Sequence, residues 1–266
     1  MSYNFRPRCC PYAVDVWSAQ PASVSHRWWP ELVSCLDPLE RARAQSLRNP
    51  SDRRAHVLAH ALKRIALASV LKVPARDITF TPGANGKPTL NSLTRRPLFF
   101  SLSHTRELVV CAVAEGVDVG IDAEPLRKNF ANLDWLSGYV AAPRFTHHAA
   151  AFAGSAVRQF YFYWTMLEAY WKAKGLGLSP AHPALVVERA GQAYKVYEDG
   201  KNSAANAASA LSVNAPPGMM ISMVLDVPPE RLLDAGLNVR HHDLDEASWR
   251  ASPWRGHASP ERIVAC

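Results

Sequence analysis

The segment Leu108-Val109-Val110-Cys111-Ala112-Val113-Ala114-Glu115-Gly116-Val117-Asp118-Val119-Gly120-Ile121-Asp122-Ala123-Glu124 says more about the fold class than any other part of the chain. Leu108 to Ala114 is an apolar run that reads as a strand. Glu115-Gly116 reads as a two-residue turn and Val117 to Glu124 as a second strand, so the spacing predicts a hairpin. In that second strand Val117, Val119 and Ile121 point one way, and Asp118, Gly120, Asp122 and Glu124 point the other.

Outward from this hairpin, strands and helices mix. Tyr12 to Ser18 alternates apolar and polar residues, as a half-buried strand does, and residues 78–82 and 98–103 read as strands around the turn Gly83 to Pro88. Asp37-Pro38-Leu39-Glu40 is a helix start, with Asp as N-cap, Pro in the first turn and Glu at N3. A second helix is expected over 52–71, with Leu58, Ala61, Leu62 and Ile65 on one face. Arg53, His56, His60 and Arg64 form a stripe on another, either a solvated face or one side of a phosphate site. The stretch containing Phe145, His147 and His148 has no clear period. A long helix is expected from Ser155 to Lys174, stopping at Gly175. Strands are expected at Leu185 to Glu188, Ala193 to Tyr197 and Met219 to Val227, and 241–266 reads as a loose polar tail.

The chain has 266 residues, 48% hydrophobic and 20% charged, which is a globular composition. No apolar run is long enough for a membrane helix, and the first residues lack the apolar core of a signal peptide, so a cytoplasmic protein is expected. Five cysteines without a CxxC pair argue against a disulfide framework or a zinc site. The first hundred residues carry fifteen Lys/Arg against six Asp/Glu, which suits either an anionic partner or a merely solvated basic face.

Asp122 and Glu124, two apart on a strand, project to one face, where two like charges repel unless a cation lies between them; hard oxygen ligands favour Mg²⁺ or Ca²⁺. Glu168 and Lys172 are four apart on the long helix. That spacing gives an ordinary ion pair, but this helix is aromatic almost all round, and a buried charged pair there needs a reason. A third carboxylate brought to Asp122 and Glu124, with a lysine beside it, would make a Mg²⁺-phosphate site. Taken singly, His104 and the turn Gly86-Lys87-Pro88 are ordinary features.

Together, Gly86-Lys87-Pro88, Phe100-Ser101-Leu102-Ser103-His104-Thr105, Val119-Gly120-Ile121-Asp122-Ala123-Glu124 and Trp164-Thr165-Met166-Leu167-Glu168-Ala169-Tyr170-Trp171-Lys172-Ala173-Lys174-Gly175 resemble the ordered motifs of Sfp-type 4′-phosphopantetheinyl transferases, over about residues 38–180. Leu167 departs from that pattern, standing where the family commonly has Lys.

The resemblance implies an α+β fold of pseudo-twofold symmetry, with similar subdomains over 1–124 and 125–240 and the active site between them. It implies transfer of the phosphopantetheine arm of coenzyme A to a serine of an apo acyl or peptidyl carrier protein, with release of adenosine 3′,5′-bisphosphate. By position, Asp122, Glu124 and Glu168 would hold Mg²⁺, Glu168 would take the serine proton, and Lys172 would neutralise the transferring phosphoryl group. Arg43, Arg64 and His104 would meet the CoA phosphates; Gly86, Lys87, Pro88 and Ser103 would frame the nucleotide, and Asp122 and Lys172 would also contact CoA. An internally duplicated fold suggests a monomer. Two rivals remain: a Mg²⁺-dependent nucleotide or CoA phosphohydrolase, and a basic nucleic-acid-binding module. No nucleic-acid fingerprint is visible, so neither nucleic acid nor membrane is expected as a partner.

Overall fold

The computed structural model describes residues 12–244 apart from 84–85, 93, 128–155, 180 and 203–205; the stretch with Phe145, His147 and His148 lies outside the described residues, as do 245–266. In chain order the main elements are β1 (Tyr12–Ala19), α1 (Trp29–Cys35), α2 (Pro38–Ser46), α3 (Pro50–Leu71), β2 (Phe80–Pro82), β3 (Pro88–Leu90), β4 (Leu98–His104), β5 (Val109–Glu115) and β6 (Val119–Pro125). They continue with α4 (Ala156–Ala173), β7 (Leu185–Ala190), β8 (Ala193–Glu198), β9 (Ala208–Ser212), β10 (Met219–Leu225), α5 (Pro229–Ala235) and β11 (Leu237–Asp243). The fold is α+β.

The expected hairpin does not form. β5 pairs antiparallel with β1 on one edge and with β4 on the other, whereas β6 pairs antiparallel with β10 in a different sheet. With both edges of β5 occupied, the chain after Gly116 must change sheets. The apolar run of β5 is buried on both faces, so its side chains serve two cores. Val109, Cys111 and Val113 pack under α3, while Val110, Ala112 and Ala114 pack against Val119, Ile121 and Ala123 of β6.

The result is four layers. α3 covers one sheet, ordered β11-β1-β5-β4; that sheet packs face to face on a second, ordered β6-β10-β9-β8-β7; α4 covers the far side of the second. The C-terminal strand β11 returns to the first sheet and pairs parallel with β1, from Leu237 opposite Tyr12 to Asp243 opposite Ser18. Residues 241–243 of the expected tail are therefore strand. Asp15 of β1, nearly buried, anchors β11 through Arg240 at 2.7 Å and His242 at 2.7 Å.

The helix starts follow local chemistry. α2 has its capping box, with Glu40 N donating to Asp37 Oδ1 at 2.8 Å and Asp37 N to Glu40 Oε2 at 3.0 Å. α3 begins at Pro50, two residues before the expected start, because Asn49 caps it by accepting from Ser51 N at 2.8 Å. Among the described residues no helix is long and apolar enough to cross a membrane.

Candidate active site

The site is built where α4 lies on β6. A Cβ on Gly120 would stand 1.8 Å from Ala169 O and 2.6 Å from Ala173 N. Only glycine on the strand and small residues on the helix let the two backbones come this close. Two residues on from Gly120 and on the same face of β6, Asp122 is thereby set against Lys172, one turn from Ala169 on α4.

Asp122 is 3% exposed. Its Oδ1 accepts from Lys172 Nζ at 2.6 Å and from Ser103 Oγ at 2.8 Å, while its buried Oδ2 has no partner among the described residues. Burial pushes the Glu124 carboxyl up to about 7, helped by the charges of Asp122 and Glu168 and opposed by a hydrogen bond from Trp164 and by Lys172. Glu168 is likewise raised, first by burial and then by Asp122, with Lys172 opposing. The three sequence-predicted carboxylates and Lys172 thus share one electrostatic neighbourhood. The lysine pairs across to the strand rather than with its helix neighbour.

Hard oxygen donors, two carboxyls raised by burial and mutual repulsion, and an orphaned buried carboxylate oxygen fit a divalent cation. Among the described residues no three such side chains form a ready-made cage, so a cation would have to draw them together.

Ser103 has a structural job beside this. β6 is the edge strand of its sheet, and two of its outward N–H groups are taken by hydroxyls of β4: Ile121 N donates to Ser101 Oγ at 3.0 Å and Ala123 N to Ser103 Oγ at 3.3 Å. These bonds stitch the two sheets together and leave Ser103 buried, orienting Asp122 rather than meeting a ligand face on.

Two cavities flank the Asp122–Lys172 pair. One of about 340 Å³ is lined by Gly86, Lys87, Pro88, Phe100 and Lys172 among others; Lys63 and His60 also reach it. Lys87 ties its loop to the bottom of the site, with Nζ 2.5 Å from Asp118 Oδ1 and 3.5 Å from Ala173 O at the carboxyl end of α4. The other cavity, about 820 Å³, is lined by Arg43, His56, His104, Arg106, Arg127 and Glu124 among others. Both volumes lie in the range of ligand pockets. The His104 ring opens on the larger cavity, and partial burial together with His60, His56 and Lys172 holds it below the ordinary imidazole range.

Arg64 reaches neither cavity. It is 1% exposed and spent on the interior: Nε on Glu40 Oε2 at 2.7 Å, one amino group on Asp37 Oδ2 at 2.7 Å, the other on Ile78 O at 2.6 Å. Glu40 also takes His60 Nδ1 at 2.9 Å and Lys63 Nζ at 2.7 Å. Burial alone would raise Glu40, but its bonds with His60 and Arg64 and the Lys63 charge outweigh that and hold it well below the carboxylate range. The expected cationic stripe of α3 therefore turns inward at its far end, because the capping carboxylates of α2 lie over it.

Sequence reasoning missed Ser101, Asp118, Trp164, Arg106 and Arg127. Ser101 and Ser103 carried a signal: hydroxyls at alternate positions of a strand that, among the described residues, is the edge of its sheet.

Residues 17–116 match a family model described as "4′-phosphopantetheinyl transferase, N-terminal". The 4′-phosphopantetheinyl transferase HetI of Nostoc sp. is 32% identical over 151 residues, covering 56% of this chain and 63% of that protein. The 4′-phosphopantetheinyl transferase Sfp of Bacillus subtilis is 24% identical over 147 residues, covering 55% and 63%. The L-aminoadipate-semialdehyde dehydrogenase-phosphopantetheinyl transferase of Rattus norvegicus is 24% identical over 185 residues, covering 63% and 55%. The chain thus spans less than two thirds of the length of each of these relatives. Over the matched stretch the chain is similar to 4′-phosphopantetheinyl transferases.

Proposed function

We propose that the protein transfers the 4′-phosphopantetheine arm of coenzyme A to a serine of an apo acyl or peptidyl carrier protein. The observation that carries this reading is the meeting of Asp122, Glu124, Glu168 and Lys172 between two cation-lined cavities. In this account Arg43 and His104 face the CoA phosphates in the larger cavity, and Gly86, Lys87 and Pro88 border the nucleotide in the smaller one. Arg64 and Ser103 act behind them, Arg64 by holding the α2–α3 corner and Ser103 by orienting Asp122.

Asp122, Glu124 and Glu168 are the residues that would hold Mg²⁺, which when bound supplies positive charge against the pyrophosphate. The carrier serine oxygen forms a new bond to the phosphorus that bears the pantetheine arm. The bond from that phosphorus to the bridging oxygen breaks, and adenosine 3′,5′-bisphosphate leaves with the electron pair. Glu168 receives the serine proton; its raised affinity for a proton suits it as acceptor. Lys172 balances the charge on the phosphoryl group, so the chain supplies mainly position and electrostatics, as phosphoryl transfer requires.

We also read the chain as two subdomains, 1–124 and 125–240, related by a pseudo-twofold, and as a cytoplasmic monomer. A long helix on an antiparallel sheet recurs, α3 on the first sheet and α4 on the second, which supports the internal relationship, while β6 and β11 cross over, each joining the sheet of the other half.

The reading is tested by incubating CoA and Mg²⁺ with the protein, with and without an apo carrier. Adenosine 3′,5′-bisphosphate should appear only with the carrier. Release without it would favour the phosphohydrolase reading.

A further inference from the structure

Beneath the carboxylates, in the apolar layer between α4 and the second sheet, lie two hydroxyls. Thr165 and Ser222 are both fully buried, among Tyr161, Phe162, Met166, Ala169, Met220 and Val224. Their oxygens are 2.7 Å apart. Thr165 Oγ1 also lies 2.8 Å from Tyr161 O and 3.2 Å from Phe162 O, which can only accept. The Thr165 proton therefore goes to its own helix, and Ser222 must be the donor to Thr165 Oγ1. Every hydrogen in this chain of bonds has an acceptor, and the chain runs in one direction from β10 to α4.

Its position matters more than its strength. Ser222 stands directly opposite Asp122 in the β6–β10 ladder, so the two side chains share a face. Thr165 precedes Glu168 by one helical turn and Lys172 by two, on the same stripe of α4. The apolar contacts of this layer are non-directional and would tolerate a small slide or rotation of the helix. A directed hydrogen bond at the height of Asp122 would not.

We propose that Thr165 and Ser222 are a positioning pair that fixes the register of α4 on the β6–β10 ladder, so that Glu168 and Lys172 meet Asp122 and Glu124. The proposal rests on the transfer reading above for its effect on turnover, but not for its effect on cation binding. Both are fully buried and neither lines either cavity.

Three variants test it. In Ser222→Ala the Thr165 proton still has the Tyr161 carbonyl, so no buried hydroxyl loses its acceptor and the melting temperature should stay close to wild type. Turnover should nevertheless fall by about tenfold or more, with KM for CoA within about twofold, because a small misplacement of the reacting groups is costly. Mg²⁺ affinity, measured by calorimetry, should weaken by about tenfold. Thr165→Ser keeps the hydroxyl and should stay near wild type, whereas Thr165→Val keeps the shape and should lose both turnover and Mg²⁺ affinity. A stable Ser222→Ala protein with kcat and Mg²⁺ affinity within twofold of wild type would overturn the proposal, as would equal losses in Thr165→Ser and Thr165→Val. A wild-type protein that binds Mg²⁺ but transfers nothing would sink the functional reading and leave the pair to be judged on Mg²⁺ affinity.

Discussion

Lys172 Nζ donates to Asp122 Oδ1 across 2.6 Å, from helix to strand, although Glu168 lies one turn before it on the same helix. An ordinary helix-stabilising pair would join Lys172 to Glu168 in water and contribute a few tenths of a kcal/mol. The observed pair instead places an ammonium group at the lip of the smaller cavity and against a carboxylate that is nearly buried. Lys172→Ala should therefore lower kcat by on the order of 10²-fold or more, with a much smaller loss of CoA affinity. The check is kcat beside CoA Kd in a variant shown by its melting curve to be folded. Near-normal turnover would return Lys172 to a purely structural role.

Gly120→Ala should strike fold and site together. The new methyl would need the space of Ala169 O, a backbone atom that cannot turn aside. Overpacking of this kind costs about 1–3 kcal/mol or more, and here the relief is a shift of α4 away from β6. We expect a clear drop in melting temperature and a loss of turnover larger than Ala114→Gly causes. Wild-type stability in Gly120→Ala would mean that α4 does not rest on β6 as described.

Arg43 and Arg64 should separate cleanly. Arg43 lines the larger cavity, so Arg43→Ala should weaken CoA binding more than dephospho-CoA binding and leave stability near wild type. Arg64→Ala leaves the buried Glu40 and the half-exposed Asp37 without their guanidinium partner and should cost roughly 3–5 kcal/mol of stability. Calorimetric titration with both ligands, beside denaturant melts, decides the matter. A preference for CoA over dephospho-CoA that is lost in Arg64→Ala but kept in Arg43→Ala would reverse the assignment.

Glu40 predicts the acid behaviour of the α2–α3 corner. Its folded proton affinity is depressed, because its partners outweigh its burial. A depressed carboxyl contributes stability that is present above its unfolded value of about 4.5 and is lost as pH falls through the lower folded value. Wild-type stability should decline from about pH 4.5 downward. Glu40→Gln should be less stable at neutral pH and show a shallower decline over the same window. Parallel pH profiles of the two proteins would contradict this.

What could be read from the sequence was what neighbours in the chain decide. The Asp37–Glu40 capping box and the Gly175 end of α4 depend on residues a few positions apart and stand where they were expected. β1 forms as a strand but is buried on both faces rather than half-buried, because β11 and β5 flank it and a core lies on each side. The β5–β6 hairpin failed because a two-residue turn signal says nothing about which strand edges are already occupied. Arg64 was misplaced because a helical wheel gives a face but not what covers it; Asp37 and Glu40, on the neighbouring helix, cover this one. The partner of Lys172 could not be read either, since Asp122 reaches it only through the close approach that Gly120 allows. The short elements β9, β11 and α5 carried too few residues for a period to show.

The most direct test of the account is the intact mass of an apo carrier protein after incubation with this protein, CoA and Mg²⁺. The carrier serine should gain one phosphopantetheine group, with no gain when Asp122→Ala replaces the wild type and no gain in excess EDTA. A carrier of unchanged mass with the folded wild-type protein, or the same gain with Asp122→Ala, would contradict it.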